Sequence, residues 1–225
     1  MLIKCVVYEN GKKVAEVPAS DIHSYVCRPG CFVWVAMRDR DVALLEEMRE
    51  QFALHPLAVE DAQQGHQRPK IEEYGDCLFA VLHMIEPCEG NELRVGEVDI
   101  FAGANYILSV RSGVEKGFDD VRARCEAEPE LLSHGSCYVL YALMDAVVDR
   151  YFPILDKLED ELEEIEKRIF TIDGDPRANI RGLYELKQRL MTLKHAVAPL
   201  LEGVSNLSGA RAPDRIGGLR DYFRD

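Results

Sequence analysis

Two adjacent carboxylates, Glu60 and Asp61, close the run His55-Pro-Leu-Ala-Val-Glu-Asp61, and a second histidine opens His66-Gln-Arg-Pro-Lys70. Carboxylate oxygens suit hard divalent cations, and imidazoles suit softer transition metals. Pro56 fits the first turn of a helix, with His55 just before it. Arg68 precedes Pro69 and is driven towards an extended conformation, so that helix is short. Adjacent helical residues point about a third of a turn apart, which lets one acid face a structural partner while the other faces solvent or a second subunit. A zinc hydrolase places two ligands four apart on one helix. His55 and His66 are eleven apart and share no helix face with the acids, so catalysis is not expected here. His55 reads as a cap or packing residue, and His66, Arg68 and Lys70 as ties to neighbouring elements.

The elements that position this stretch follow from the pattern around it. Leu2 to Tyr8 is rich in β-formers, Asn10-Gly11 is a hairpin turn, and Lys13 to Val17 returns. Cys31 to Ala36 is a near-continuous apolar run, as in a strand buried on both faces. Leu44, Leu45, Met48 and Phe52 define an amphipathic helix over 41–52 that leads into the acidic pair. Beyond Pro69 the period returns to two. Ile71–Tyr74, Cys77–Ile85, Leu93–Phe101 and Tyr106–Val110, separated by Gly75-Asp76, Glu89-Gly-Asn91 and Gly103-Ala-Asn105, predict an antiparallel meander. Ser112-Gly-Val-Glu115 has the form of a capping box opening a helix with Val114, Phe118, Val121 and Cys125 on one face.

From Ser136 the character changes. Tyr141, Met144, Val148, Tyr151, Leu155, Leu158, Leu162, Ile165 and Ile169 alternate three and four apart, a heptad seam in which Pro153 predicts a kink. Its outer face is acidic from Asp156 to Glu166. Asp173-Gly-Asp-Pro176 supplies a stop, a cap and a first-turn proline. Leu183, Leu186, Leu190, Leu193, Val197, Leu200 and Val204 then repeat the seam, which predicts an antiparallel helical hairpin. Ser205–Pro213 reads as a linker, and Asp214–Asp225 as the start of another helix. The expected fold is α/β, an α+β mixed sheet with flanking helices, followed by a long antiparallel helical hairpin and the start of a stalk helix. The parts are residues 1–130, 131–206 and 207–225.

Composition sets the outer limits. The 225 residues are 47% hydrophobic, enough for a core, and carry 27 basic against 40 acidic side chains, a net −13. That balance argues against nucleic acid as a partner and favours cations. No stretch approaches the ~18 consecutive apolar residues of a membrane helix, and no leader peptide is evident, so a soluble chain is expected. Seven cysteines without a C-x-x-C pair read as reduced cytosolic thiols. His23, Cys27 and Cys31 recur every fourth residue, but Pro29-Gly30 breaks any helix that would gather them around zinc.

The run from His55 to Asp61, then His66-Gln-Arg-Pro-Lys70 and Tyr74, resembles the signature of the cytoplasmic domain of CorA-type magnesium/cobalt transporters. Leu143-Met-Asp-Ala-Val-Val-Asp149-Arg-Tyr-Phe152 resembles the start of that family's first acidic helix, and Tyr222-Phe-Arg-Asp225 its early stalk. The membrane helices and the Gly-Met-Asn motif are absent. The resemblance implies the soluble regulatory part of a longer transporter, a homo-oligomer (a pentamer) on the cytoplasmic face of the membrane, touching the membrane only through the missing C-terminal segment. It implies no enzyme activity. It places regulatory Mg²⁺ between subunits, bridging Asp61 to Asp225 of a neighbour, with a second ion near Glu60, Asp145 and Asp225. Co²⁺ is a further possible ion, and a related branch carries Zn²⁺. High internal Mg²⁺ would then hold the pore closed. The competing readings are a coiled-coil scaffold without metal sensing, a related zinc transporter, and a metal-dependent hydrolase for which neither nucleophile nor phosphate loop is present.

Overall fold

A computed structural model describes residues 1–170, 175–209 and 214–224. β1 (Leu2–Glu9) and β2 (Lys12–Glu16) form the expected hairpin. Its turn works because Asn10 and Gly11 both take positive φ, 48° and 76°. A single helical turn, α1 (His23–Val26), precedes β3 (Cys31–Arg38), which leaves Cys27 exposed and Cys31 inside a strand. α2 (Val42–Phe52) is capped by Asp41, whose side chain accepts from the Leu44 amide, and is followed by α3 (Pro56–Gln64). The meander β4 (Lys70–Tyr74), β5 (Cys77–Pro87), β6 (Leu93–Ala102) and β7 (Tyr106–Ser112) completes a seven-stranded sheet. The strand order is β2-β1-β3-β7-β6-β5-β4, antiparallel except where β3 runs parallel to β7.

Alternation along the strands builds two cores. On one face Val7, Val33, Val35, Phe79 and Val81 pack with Leu45, Met48 and Phe52 of α2 and Ala58, Val59 and Ala62 of α3. The opposite face carries Val6, Tyr8, Trp34, Ala80 and Ile100. It is covered by α4 (Asp119–Ala127), α5 (Pro129–Leu132) and α6 (Ser136–Asp149). The result is a three-layer sandwich of helix, sheet and helix.

Several local expectations are corrected. Ser112 does not cap a helix. It ends β7 opposite Glu97 in the β6–β7 ladder, Gly113 turns the chain at φ 78°, and α4 begins only at Asp119. The first seam is not one kinked helix. The apolar side of α6, with Val139, Leu140, Leu143 and Val147, is buried in the sheet's core. The chain breaks at Arg150 and Tyr151, and α7 (Phe152–Ile169) starts afresh. Pro153 falls in the first turn of α7, where its missing N–H has no partner to lose.

The hairpin itself forms as α7 and α8 (Pro176–Val197). Asp175 caps α8 by accepting from the Arg177 amide at 2.9 Å. Glu161 pairs with Arg189, and Ile165 lies against Gly182 further along, so the helices run antiparallel. The Asp173-Gly174 turn lies outside the described residues. Pro199 interrupts the second seam, and α9 (Leu200–Ser208) replaces the first half of the expected linker. α9 lies on β4, with Gly203 against Ile71. Residues 214–224 form two 3-10 stretches, Asp214–Leu219 and Tyr222–Arg224, in place of the start of an α-helix. They fold back on α6, where Tyr141 meets Tyr222 and Phe223 edge-on.

Candidate functional site

α3 carries the acidic pair. His55 caps it, its Nδ1 accepting from the Leu57 amide at 3.3 Å while its ring stacks on Tyr74 at 4.5 Å. Ala58, Val59 and Ala62 anchor the inner side of α3, and Gly65 ends it at φ 63°. Glu60 is exposed, and among the described residues its one hydrogen bond is accepted from Gln64 at 2.9 Å, one turn on. Asp61 turns towards β4, where its Oδ2 accepts from Lys70 Nζ at 2.8 Å. The side chain of Asp61 stays 24% exposed. Lys70 also reaches Glu72 at 2.6 Å. Burial works against the Lys70 ammonium, but its bonds to Asp61 and Glu72 outweigh that and raise its pKa. Of the residues expected to tie neighbouring elements together, Lys70 does so. His66 and Arg68 form no hydrogen bond or ion pair through their side chains among the described residues.

Beneath α3 lies a polar floor that the sequence reading did not single out. Arg40 donates from Nε to the Ala62 carbonyl at 3.0 Å and from Nη2 to Glu97 at 2.8 Å. The other oxygen of Glu97 accepts from the Gln67 amide, and His83 Nε2 lies 2.9 Å from the Gln67 carbonyl. Two residues along β6, Asp99 is 0% exposed, its carboxyl lies beside that of Glu97, and among the described residues no amide or cationic side chain donates to it. Burial first, and then the charge of Glu97, push its pKa well above the ordinary 3.8, with Arg40 opposing. The folded state therefore favours the protonated form of Asp99 more than an exposed position would. The available signal was two acids alternating on one side of an otherwise apolar strand.

Asp145 is on α6, on the far side of the sheet from Glu60 and Asp61, and its Oδ2 takes a 2.7 Å hydrogen bond from Arg124. One chain therefore does not bring Glu60 and Asp145 together. Asp225 lies outside the described residues. Among the described residues no group of three or more His, Cys, Asp or Glu side chains converges as a metal cage. The donors still fit Mg²⁺ chemically. This ion prefers oxygen, keeps several waters and is commonly held by one or two carboxylates. Each chain offers Asp61 and Asp145 singly, at half-exposed positions, each balanced by a cationic side chain.

The fold and site define an α/β domain with a helical arm and isolated, partly exposed carboxylates on its two faces. The chain belongs to the CorA-like Mg²⁺ transporter protein family, whose profile matches residues 30–225. Its relatives include the putative metal ion transporter YfjQ of Bacillus subtilis (strain 168), 34% identical over 188 residues, 83% of this chain and 56% of that protein. The cobalt/magnesium transport protein CorA of Thermotoga maritima is 30% identical over 184 residues, 81% of this chain and 52% of that protein. The chain thus spans about half the length of these curated relatives. The soluble domain of CorA from Methanocaldococcus jannaschii shares the fold, with a TM-score of 0.73 at 19% identity over 98% of this chain and 85% of that one. The family is one of ion transporters, not enzymes. Among the described residues no helix is long and apolar enough to cross a membrane.

Proposed function

We propose that this chain is the cytoplasmic Mg²⁺-sensing part of a divalent-cation channel that takes up Mg²⁺, with Co²⁺ as a second cargo, and that it works as a homopentamer. The observation that carries this reading is Asp61: a half-exposed carboxylate on a short, well-anchored helix, held by the single ammonium of Lys70. Mg²⁺ joins Asp61 of one subunit to Asp225 of its neighbour. A second ion draws on Glu60, Asp145 and Asp225, and two subunits are needed because the sheet separates Glu60 from Asp145 within one. Lys70 and Arg124 act as resident counter-cations that the ion must displace or share, which keeps affinity low. A sensor of an abundant ion needs weak binding. When the ion leaves, facing carboxylates repel across the subunit boundary and the open arrangement gains population.

Sedimentation velocity of the chain across a Mg²⁺ titration, with Asp61→Ala alongside, tests this. Mg²⁺ should drive the wild type into larger assemblies and the variant less so. Equal behaviour of the two proteins would remove Asp61 from the site.

A further inference from the structure

The joint between α6 and α7 carries a buried cation that the metal reading does not use. Arg150 is 13% exposed; its Nη2 donates to the Gly117 carbonyl at 2.6 Å, and its guanidinium stacks over Phe118. Its Nη1 is buried with no acceptor. The nearest carboxylate, Asp120, is 3.7 Å away, largely exposed, and already accepts from the Val121 amide. Burial lowers the Arg150 pKa, which reflects an under-compensated charge.

Arg150 lines a cavity of about 180 Å³ between the end of β5 and the first turns of α7. Met84, Ile85, Pro87 and Ile154 give it apolar walls, and Lys116 and Lys157 stand at its rim. Neither lysine forms an ion pair among the described residues. The one acid in the lining is Glu86, and its two oxygens accept the amides of Glu115 and Lys116. The lining therefore holds three cations against one acid in a protein of net charge −13. A second cavity, of about 310 Å³, shares Lys116, Arg150 and Pro153 with the first. It adds Arg124, already bonded to Asp145, and the acids Asp120 and Asp149, so the cationic excess belongs to the smaller cavity.

We propose that this cavity binds a small organic phosphate, its dianionic head held by Lys116 and Lys157 in the field of the Arg150 guanidinium and a short apolar arm lying against the wall of Met84, Ile85, Pro87 and Ile154. A phosphate monoester carries close to two negative charges at neutral pH, which matches the excess, and guanidinium donors suit its oxygens. The occupant would join α7 to β5, where the hairpin leaves the sheet.

The test is calorimetric titration of the whole chain with n-butyl phosphate, in EDTA so that no divalent ion contributes. Saturable binding is expected, with inorganic phosphate about ten-fold weaker because it lacks the arm. Lys116→Ala combined with Lys157→Ala should weaken butyl phosphate by about ten-fold or more while the unfolding midpoint stays put, since both side chains are exposed. Arg150→Lys should abolish binding; because Arg150 also supports the Gly117 loop, the lysine pair carries the decision if that variant fails to fold. Absence of saturable binding, or wild-type affinity in the lysine double variant, overturns the proposal. Equal affinity for inorganic phosphate overturns the apolar arm. Flotation with phosphatidic-acid vesicles, released by butyl phosphate, would assign the head group to a lipid; butyl phosphate binding without flotation would assign it to a soluble ester.

Discussion

The ammonium of Lys70 lies 2.8 Å from Asp61 and 2.6 Å from Glu72, so one cation ties α3 to β4 and occupies the carboxylate proposed to sense Mg²⁺. Lys70→Met removes that resident cation. Mg²⁺ affinity, measured by equilibrium dialysis, should rise by about three-fold, and stability should fall by ~0.5–1 kcal/mol, the scale of a partly exposed pair. A lower Mg²⁺ affinity in this variant would take Asp61 out of the site.

Asp99 gives a pH dependence of definite sign. Its folded pKa is raised, so above the ordinary 3.8 the native state holds a proton that the unfolded chain has released. Stability attributable to this group is present below that value and declines as pH rises, by about 1.4 kcal/mol per pH unit until the folded carboxyl itself titrates. Asp99→Asn, neutral at every pH, should stabilise the protein more at pH 8 than at pH 5 in urea unfolding. An effect independent of pH would mean that Asp99 ionises normally.

Glu161 locks the hairpin. It accepts two hydrogen bonds from Arg189 and one from Asn91 at 3.0 Å, joining α7, α8 and the β5–β6 turn. Glu161→Ala should cost about 1–3 kcal/mol, read as a lower thermal midpoint. The hydrogen bond from Arg189 chiefly lowers the Glu161 pKa, against the effect of burial. This contribution is therefore present above the ordinary value of 4.5 and is lost as pH falls through the depressed one, so wild type and variant should converge in acid.

Gly203 sets the contact of α9 on β4. A Cβ there would lie 2.9 Å from Ile71 Cβ, closer than side chains pack. Gly203→Ala should destabilise by about 1–3 kcal/mol despite its better helix propensity. Ile71→Gly, which removes that Cβ, should recover part of the loss in the double variant, and additive losses in thermal melts would refute the contact.

Strand positions and turns were legible because they depend on local patterns. Asn10-Gly11, Gly75-Asp76 and the buried run of β3 each state their conformation within a few residues. Asp175 was likewise readable as a cap, whereas Asp41, expected as the first residue of α2, proved to be its cap. The acidic pair Glu60–Asp61 was placed correctly on a short helix between Pro56 and Pro69. The helical half was read less well, because a three-and-four spacing identifies an apolar face and not its partner. On α6 the expected seam of Tyr141, Met144 and Val148 leaves Val148 exposed, while Val139, Leu140, Leu143 and Val147 pack on the sheet, and Ser112 fits a capping box yet pairs in a ladder.

The sequence by itself determined the strands of the sheet, the helix of α2 and the short helix that carries the carboxylates Glu60 and Asp61. Only the tertiary structure decided that Lys70 holds Asp61, that the sheet separates Glu60 from Asp145, and that Asp99 is fully buried beside Glu97. It also set Arg150 at the floor of a cavity with Lys116 and Lys157. Each of these depends on how separate elements pack together. A side chain's charge is fixed by its chemistry, but its neighbours and solvation are fixed by packing, and those decide whether that charge is paired, titrated or left free to bind.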